Sequence, residues 1–209
     1  MKSESVEFIS TELAKIGLDF SSDIPDMVQT LIDQLDPRGM EYYSLLGANR
    51  LLVINEARRG KSLNEFELSL RIAINSAWDA IHDNDDSRIE SITDKVLSVP
   101  DLYDGSKYGI DIEPSAASVY ALQSLRGDEK RYAKLVWNQS GEYAYVVASE
   151  DIEFQKTFPD GTAYSVMNNC HPVLSECDDW HYRVVSFLKD KPAKLVPHHP
   201  FWTKPVPYL

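Results

Sequence analysis

The chain has few of the residues that cross-links and nucleotide-binding loops require. Its 209 residues include two cysteines and nine glycines. The glycines form no Gly-x-Gly-x-x-Gly, Gly-x-Ser-x-Gly or phosphate-binding Gly-x-x-x-x-Gly-Lys motif. Because no signature of nucleotide binding or nucleophilic catalysis is present, we predict that the protein is not an enzyme.

The two cysteines, Cys170 and Cys177, do not predict a disulfide. They are seven residues apart in a segment with helical periodicity, which separates them by about 10 Å along the helix axis. This separation exceeds the reach of a disulfide. We therefore expect two free thiols in a reducing cytosol.

Long apolar runs and an excess of positive charge are also missing. No stretch approaches the roughly 18 apolar residues of a membrane span, and acidic residues stand where a signal peptide would be apolar. There are 21 Lys and Arg against 33 Asp and Glu, for a formal net charge of −12. We expect a cytoplasmic protein that binds neither membranes nor nucleic acid, since phosphate contacts need clustered Lys and Arg.

Apolar residues recur at spacings of three and four along most of the chain, beginning with a stripe over residues 6–16. This pattern predicts an all-α protein with about eight helices in one globular domain, residues 1–190. Prolines at positions 25, 37, 114 and 172 suit the start of a helix. The Ser62-Leu-Asn-Glu65 segment has the pattern of a capping box, and residues 87–98 predict a short helix.

Two segments interrupt the helical pattern. Residues 150–168 contain the turn sequence Phe158-Pro-Asp-Gly161 and are compatible with a small hairpin. Residues 191–209 contain five prolines, which exclude a continuous helix. Because this segment also contains Phe201 and Trp202, we expect an extended C-terminal tail that packs on the helical domain.

The segment from Asp79 to Glu113 is strongly acidic. It contains ten acidic and three basic residues. Pro100, Gly105 and Gly109 predict a surface loop in this segment. Negative potential attracts a cationic partner, and tyrosine is enriched at interface hot spots. The predicted partner-binding surface consists of Asp83, Asp85, Asp86, Glu90, Asp101, Asp104 and Asp111, with Tyr103 and Tyr108 as anchors. The alternative is a solvated loop whose acids stabilise the following helix.

Two patterns approach metal sites without completing one. Residues 83–94 follow the spacing of a calcium loop, but Arg88 replaces the required glycine and Asp94 the required glutamate. Cys177 and His181 are four residues apart, a permissible metal pair, but Cys170 is two turns away from Cys177. We therefore expect no metal and no other cofactor.

Three local patterns resemble a known group of proteins. They are Asn75-Ser-Ala-Trp78-Asp-Ala-Ile81, Pro114-Ser-Ala-Ala-Ser-Val-Tyr120-Ala-Leu-Gln-Ser-Leu125, and His171-Pro-Val-Leu-Ser-Glu176. Over about residues 42–188, their order and spacing resemble those of all-helical bacterial immunity proteins from polymorphic toxin systems, and of a related uncharacterised bacterial helical family. The resemblance implies an all-α fold and an antitoxin role. It transfers no functional residue, and residues 150–168 and the tail after Asp190 depart from the pattern.

We therefore predict an immunity protein that binds a cognate toxin domain and neutralises it by direct contact through the acidic surface. We expect the toxin to be basic, for example a nuclease. One alternative is a helical adaptor or regulatory protein whose acidic face serves only solubility. Another is an enzyme or metal-binding protein centred on residues 83–94 or on the Cys177–His181 pair.

Overall fold

The computed structural model describes residues 24–59, 64–99, 110–157, 171–190 and 195–203, and every regular element in these ranges is an α-helix. The helices are α1 (Ile24–Ile32), α2 (Pro37–Arg59), α3 (Glu65–Asp83), α4 (Asp86–Leu97), α5 (Ile112–Ser124), α6 (Glu129–Ala148), α7 (Ile152–Thr157), α8 (Pro172–Asp190) and α9 (Pro200–Thr203). The predicted all-α class is confirmed. Residues 152–157, where a hairpin was considered, are helical, while 158–168 and the stripe over 6–16 lie outside the described residues.

The second helix, α2, is the centre of the fold. Residues 43–52 are buried without exception, so this helix needs neighbours on every side. It packs against α3, α5, α6 and α8, and α5 and α6 also pack closely against each other. A side chain at Gly47 would place its Cβ 2.6 Å from Cγ1 of Val136. The glycine therefore allows α2 and α6 to approach closely.

Local capping residues set the start of α3. The Asn64 side chain accepts a hydrogen bond from the Glu67 N–H, and the Glu67 carboxylate accepts one from the Asn64 N–H, both at 2.9 Å. The capping box predicted at residues 62–65 is therefore wrong by two residues, and the observed one is at 64–67. The sequence fits the motif at both positions, so the pattern alone did not distinguish them. Asn55 of α2 also donates to Glu67, at 2.8 Å, which fixes this end of α3 to the central helix.

Residues 195–203 pack on α2 and α3. The ring of Trp202 stacks on that of Trp78, with centroids 4.1 Å apart and an interplanar angle of 2°. The Trp78 indole donates a hydrogen bond to the Pro197 carbonyl, and Asn49 donates one to the Trp202 carbonyl, both at 3.0 Å. Ring stacking and two hydrogen bonds hold residues 195–203 on the helical domain. The predicted tail is not fully extended here, because it contains the short helix α9.

A buried polar cluster lies where α2 meets α8. It consists of Tyr43 and Arg50 from α2 and Asp178, Asp179 and His181 from α8. The Tyr43 hydroxyl is hydrogen-bonded to Nδ1 of His181 at 2.7 Å. The Arg50 guanidinium lies over the Trp180 ring, 4.6 Å from its centroid. The cluster therefore joins two helices that are distant in sequence.

Burial and charge oppose each other inside this cluster. Burial raises the pKa of Asp179, and the charges of Arg183 and Arg50 counteract that rise. Burial, aided by the positive charge of Arg50, lowers the pKa of His181 well below its ordinary value. The folded protein therefore holds His181 in its neutral form at pH 7, next to a buried guanidinium whose charge needs nearby compensation.

We predict that His181 makes the protein less stable in mild acid. In the unfolded chain this histidine binds a proton below about pH 6.5, whereas in the folded protein it does not. The free energy of unfolding should therefore fall as the pH drops from about 7 to about 5, by up to about 1.4 kcal/mol per pH unit from this group. Urea unfolding across this range should show a smaller dependence for His181→Gln.

His198→Gln, at an exposed histidine outside the cluster, is the control for the substitution of a histidine as such. Burial also lowers the pKa of His199, so some pH dependence should persist in every variant. Asp179 acts in the opposite sense because its folded pKa is raised, so the test compares the slope of the wild type with that of His181→Gln. Equal slopes for the wild type and His181→Gln would contradict the prediction.

Candidate partner-binding surface

Five of the nine residues predicted for the partner-binding surface lie in the described part of the chain. Asp83, Asp85, Asp86 and Glu90 lie at the junction of α3 and α4, and Asp111 immediately precedes α5. The other four, Asp101, Tyr103, Asp104 and Tyr108, lie outside the described residues.

The junction of α3 and α4 is a tight, capped turn. Asn84 adopts the left-handed conformation, with φ of 53°, which ends α3 and redirects the chain. The Asp85 carboxylate then accepts hydrogen bonds from the Arg88 N–H at 3.0 Å and from the Ser87 hydroxyl at 2.8 Å. The backbone bond from Arg88, with the Ser87 bond added, lowers the pKa of Asp85. Asp85 therefore caps α4 as well as carrying charge.

Four exposed carboxylates flank this turn as two pairs. Asp79 and Asp83 are one turn apart on α3, and Asp86 and Glu90 are one turn apart on α4. Residues four apart on a helix lie on the same face. Asp83 lies 3.7 Å from the Arg88 guanidinium. Among the residues with described positions, no Lys or Arg forms an ion pair with Asp79, Asp86 or Glu90.

The negative charge of the junction also reaches α2. Burial is the main cause of the raised pKa of Glu41, and the charges of Glu129 and Asp86 raise it further against the effect of Arg38. Arg38 is 2.9 Å from the Glu41 carboxylate. Carboxylates on α2, α3 and α4 thus give the junction a negative potential. In the described part of the chain, only the neighbouring arginines compensate this charge.

Asp111 has a different environment from the other predicted acids. Its carboxylate is 3.2 Å from the Arg58 guanidinium and accepts a hydrogen bond from the Tyr143 hydroxyl at 3.2 Å. Arg58 also donates to Tyr143 at 2.9 Å and pairs with Glu150. Burial raises the pKa of Tyr143, so this hydroxyl keeps its proton. The charge of Asp111 is therefore compensated by an arginine of the same chain, as is that of the exposed Asp94, which is 2.6 Å from Arg126.

Neither metal-like pattern has the geometry of a metal site. Residues 86–94 are helical and do not wrap around a central point as a calcium loop does. The buried Cys177 thiol lies 3.5 Å from the Ser140 carbonyl, and Nδ1 of His181 is occupied by Tyr43. Within the ranges that the structure describes, no group of three or more His, Cys, Asp or Glu is placed to hold a metal ion.

The sequence-based prediction did not include an apolar part of the same helix. Leu68 and Ile72 on α3 are 48% and 56% exposed and are one turn apart. They continue the row of Asp79 and Asp83 along the outward side of α3. The apolar stripe with Leu70, Ala73, Ala77 and Ile81 indicates the buried side of α3 from the sequence, but only packing shows that Leu68 and Ile72, outside this stripe, stay exposed.

Comparisons with protein-family models, with curated proteins and with solved structures found no match. The resemblance to bacterial immunity proteins therefore stays a prediction. Among the helices that the structure describes, none combines the length and apolar character of a membrane span. Any proposal for the function therefore depends on the residues of this chain and their arrangement.

Two substitutions should separate the capping role of Asp85 from its charge. Asparagine at this position accepts the same backbone hydrogen bond, so Asp85→Asn should leave the melting temperature within about 1 °C of the wild type. Asp85→Ala should lower it by about 3 °C. Glu90→Ala, which removes an exposed charge without a cap, is the control. Equal losses for Asp85→Asn and Asp85→Ala in thermal unfolding would rule out capping.

Proposed function

We propose that this protein is an immunity protein that binds a cognate toxin domain and neutralises it by direct contact. The observation that carries the proposal is a set of exposed carboxylates on two adjacent helices, Asp79, Asp86 and Glu90, that form no ion pair with any Lys or Arg in the described part of the chain. The resemblance of the three sequence patterns to immunity proteins gives the class of partner. On this proposal the protein acts in the cytoplasm as a binding protein, without catalysis and without a cofactor.

The toxin that fits this surface is basic. Domains that act on nucleic acid use clustered Lys and Arg to bind phosphates, and such a cluster is complementary to the α3–α4 junction. Complementary charge raises association rate constants from about 10⁵–10⁶ M⁻¹s⁻¹ to as much as about 10⁸–10⁹ M⁻¹s⁻¹ at low salt. An acidic protein seated on such a cluster would also cover the phosphate-binding cleft of the toxin.

The position of the charge matters more than the net charge of the chain. At physiological ionic strength, interactions between exposed charges are screened over about 8 Å. Carboxylates that already pair with a neighbouring arginine, such as Asp111 and Asp94, contribute little to the field at a partner. The junction of α3 and α4, with Asp79, Asp86 and Glu90 exposed and not paired with any described Lys or Arg, is therefore suited to steer a cationic protein.

Co-expression with a toxin domain encoded next to this chain in its native host tests the function. Cells that produce the toxin alone should stop growing, and cells that also produce this protein should grow. An unrelated acidic helical protein, produced at the same level, is the control for charge alone. Loss of growth despite accumulation of the folded protein would exclude an immunity role and favour the adaptor alternative.

Charge reversal at the junction should slow toxin binding in a salt-dependent way. For Asp86→Lys/Glu90→Lys we expect the association rate constant to fall roughly tenfold at low ionic strength and to approach the wild-type value when salt screens the charges. Stopped-flow or surface-based kinetics would measure this. Asp85 is left unchanged because it caps α4.

The matched control is Glu142→Lys/Asp190→Lys, which makes the same change of charge on α6 and α8. Both acids are exposed. This control should change the association rate constant by less than about threefold, because the substituted positions lie on other helices. Equal effects of the two double variants would show that overall charge, and not the junction, controls association.

A further inference from the structure

We infer that the outward ridge of α3 is the central contact of the toxin interface, with an apolar half and an acidic half that meet one partner surface. This extends the proposed function and rests on it for the class of the partner. The position of the contact rests on exposure and spacing along the helix. The predicted toxin surface has an apolar patch beside basic side chains.

Six of the seven exposed positions of α3 follow one line along the helix, and the seventh, Ser69, lies beside it. The six are Glu65, Leu68, Ile72, Asn75, Asp79 and Asp83, spaced three or four residues apart. The opposite side of the helix, with Leu70, Ile74, Ala77 and Ile81, is buried in the core. The ridge is therefore presented by a helix whose other side is held by packing.

The apolar half of the ridge is formed by Leu68 and Ile72. These side chains are four residues apart on a helix and are therefore neighbours. The other large apolar side chains that are exposed in the described ranges lie singly on four different segments: Ile112, Val146, Ile152 and Val196. Single exposed apolar residues are ordinary, whereas adjacent ones form a patch.

The dimensions of the ridge suit one interface. From Leu68 to Asp83 the helix rises about 22 Å. A standard protein interface covers about 800 Å² on each partner, which is roughly 30 Å across. One partner can therefore cover both halves, together with Asp86 and Glu90 on the adjoining helix. An apolar centre beside a charged rim is also the usual anatomy of such interfaces.

Charge selects a cationic protein over a second copy of this chain as the occupant. A second copy carries the same net charge of −12 and would repel the first on contact. The basic residue nearest to the ridge in sequence, Arg71, is already paired with Glu56 at 3.0 Å. A copy would therefore offer no free cation from its own ridge to Asp79, whereas a basic toxin would.

Photo-cross-linking of the full chain in its native host tests the position of the contact. The photoreactive amino acid p-benzoylphenylalanine replaces Ile72 in one variant and Ile152, which is 66% exposed on α7, in the control. We expect position 72, and not position 152, to cross-link to a basic protein that mass spectrometry identifies as a toxin. Cross-linking to a second copy, or equal yields at both positions, would overturn the inference.

Binding of the identified toxin to purified variants gives the quantitative test. Leu68→Ala/Ile72→Ala should raise the dissociation constant at least about tenfold, since truncation of anchors in an interface has effects of this size. Ile112→Ala/Ile152→Ala, the matched control, should change it less than about threefold. Neither double variant changes charge, so steering is the same in both.

The outcomes separate this inference from the proposed function. If the wild type protects cells and Leu68→Ala/Ile72→Ala binds the toxin as tightly as the wild type, the immunity role stands and the α3 ridge is wrong. If position 72 cross-links to a cationic protein that is not a toxin, the contact face stands and the immunity role is wrong.

Discussion

Enclosure of α2 is the constraint on which the rest of the structure depends. A helix of 23 residues that is buried throughout its middle must receive apolar neighbours on every side and must also accommodate Arg50. Helix α8 accommodates the Arg50 guanidinium with the Trp180 ring, the Asp179 carboxylate and a neutral His181. Removing one member of such a cluster costs more than its hydrogen bond alone, because its partners stay buried.

The acidic residues have different roles, depending on whether an arginine of the same chain compensates their charge. Asp111 is held by Arg58 and Asp94 by Arg126, so these carboxylates stabilise contacts between elements of the fold. Asp85 caps a helix. Asp79, Asp86 and Glu90 extend from adjacent helices into solvent, where their charge can act on another molecule. An excess of acid in a sequence thus combines structural carboxylates with carboxylates available to a partner.

The third helix connects the core to the surface. Its inner side packs in the core, and Trp78 on that side stacks on Trp202 from the C-terminal segment. Its first turn is fixed to α2 through Asn55 and Glu67. A ridge supported in this way loses little conformational freedom when a partner binds, which favours affinity. The same contacts that stabilise the fold therefore preorganise the proposed interface.

The sequence by itself determined those structural features that depend on residues close to each other along the chain. Helical periodicity and prolines at helix starts led to the all-α class and to the starts of four helices within two residues, because both act within a few residues. Only the tertiary structure decided which acids are compensated and that Leu68 and Ile72 on α3 stay exposed. The pairs Arg58–Asp111 and Tyr43–His181 join residues 53 and 138 positions apart. Such pairs form because packing brings distant helices together, and no local pattern encodes their identity.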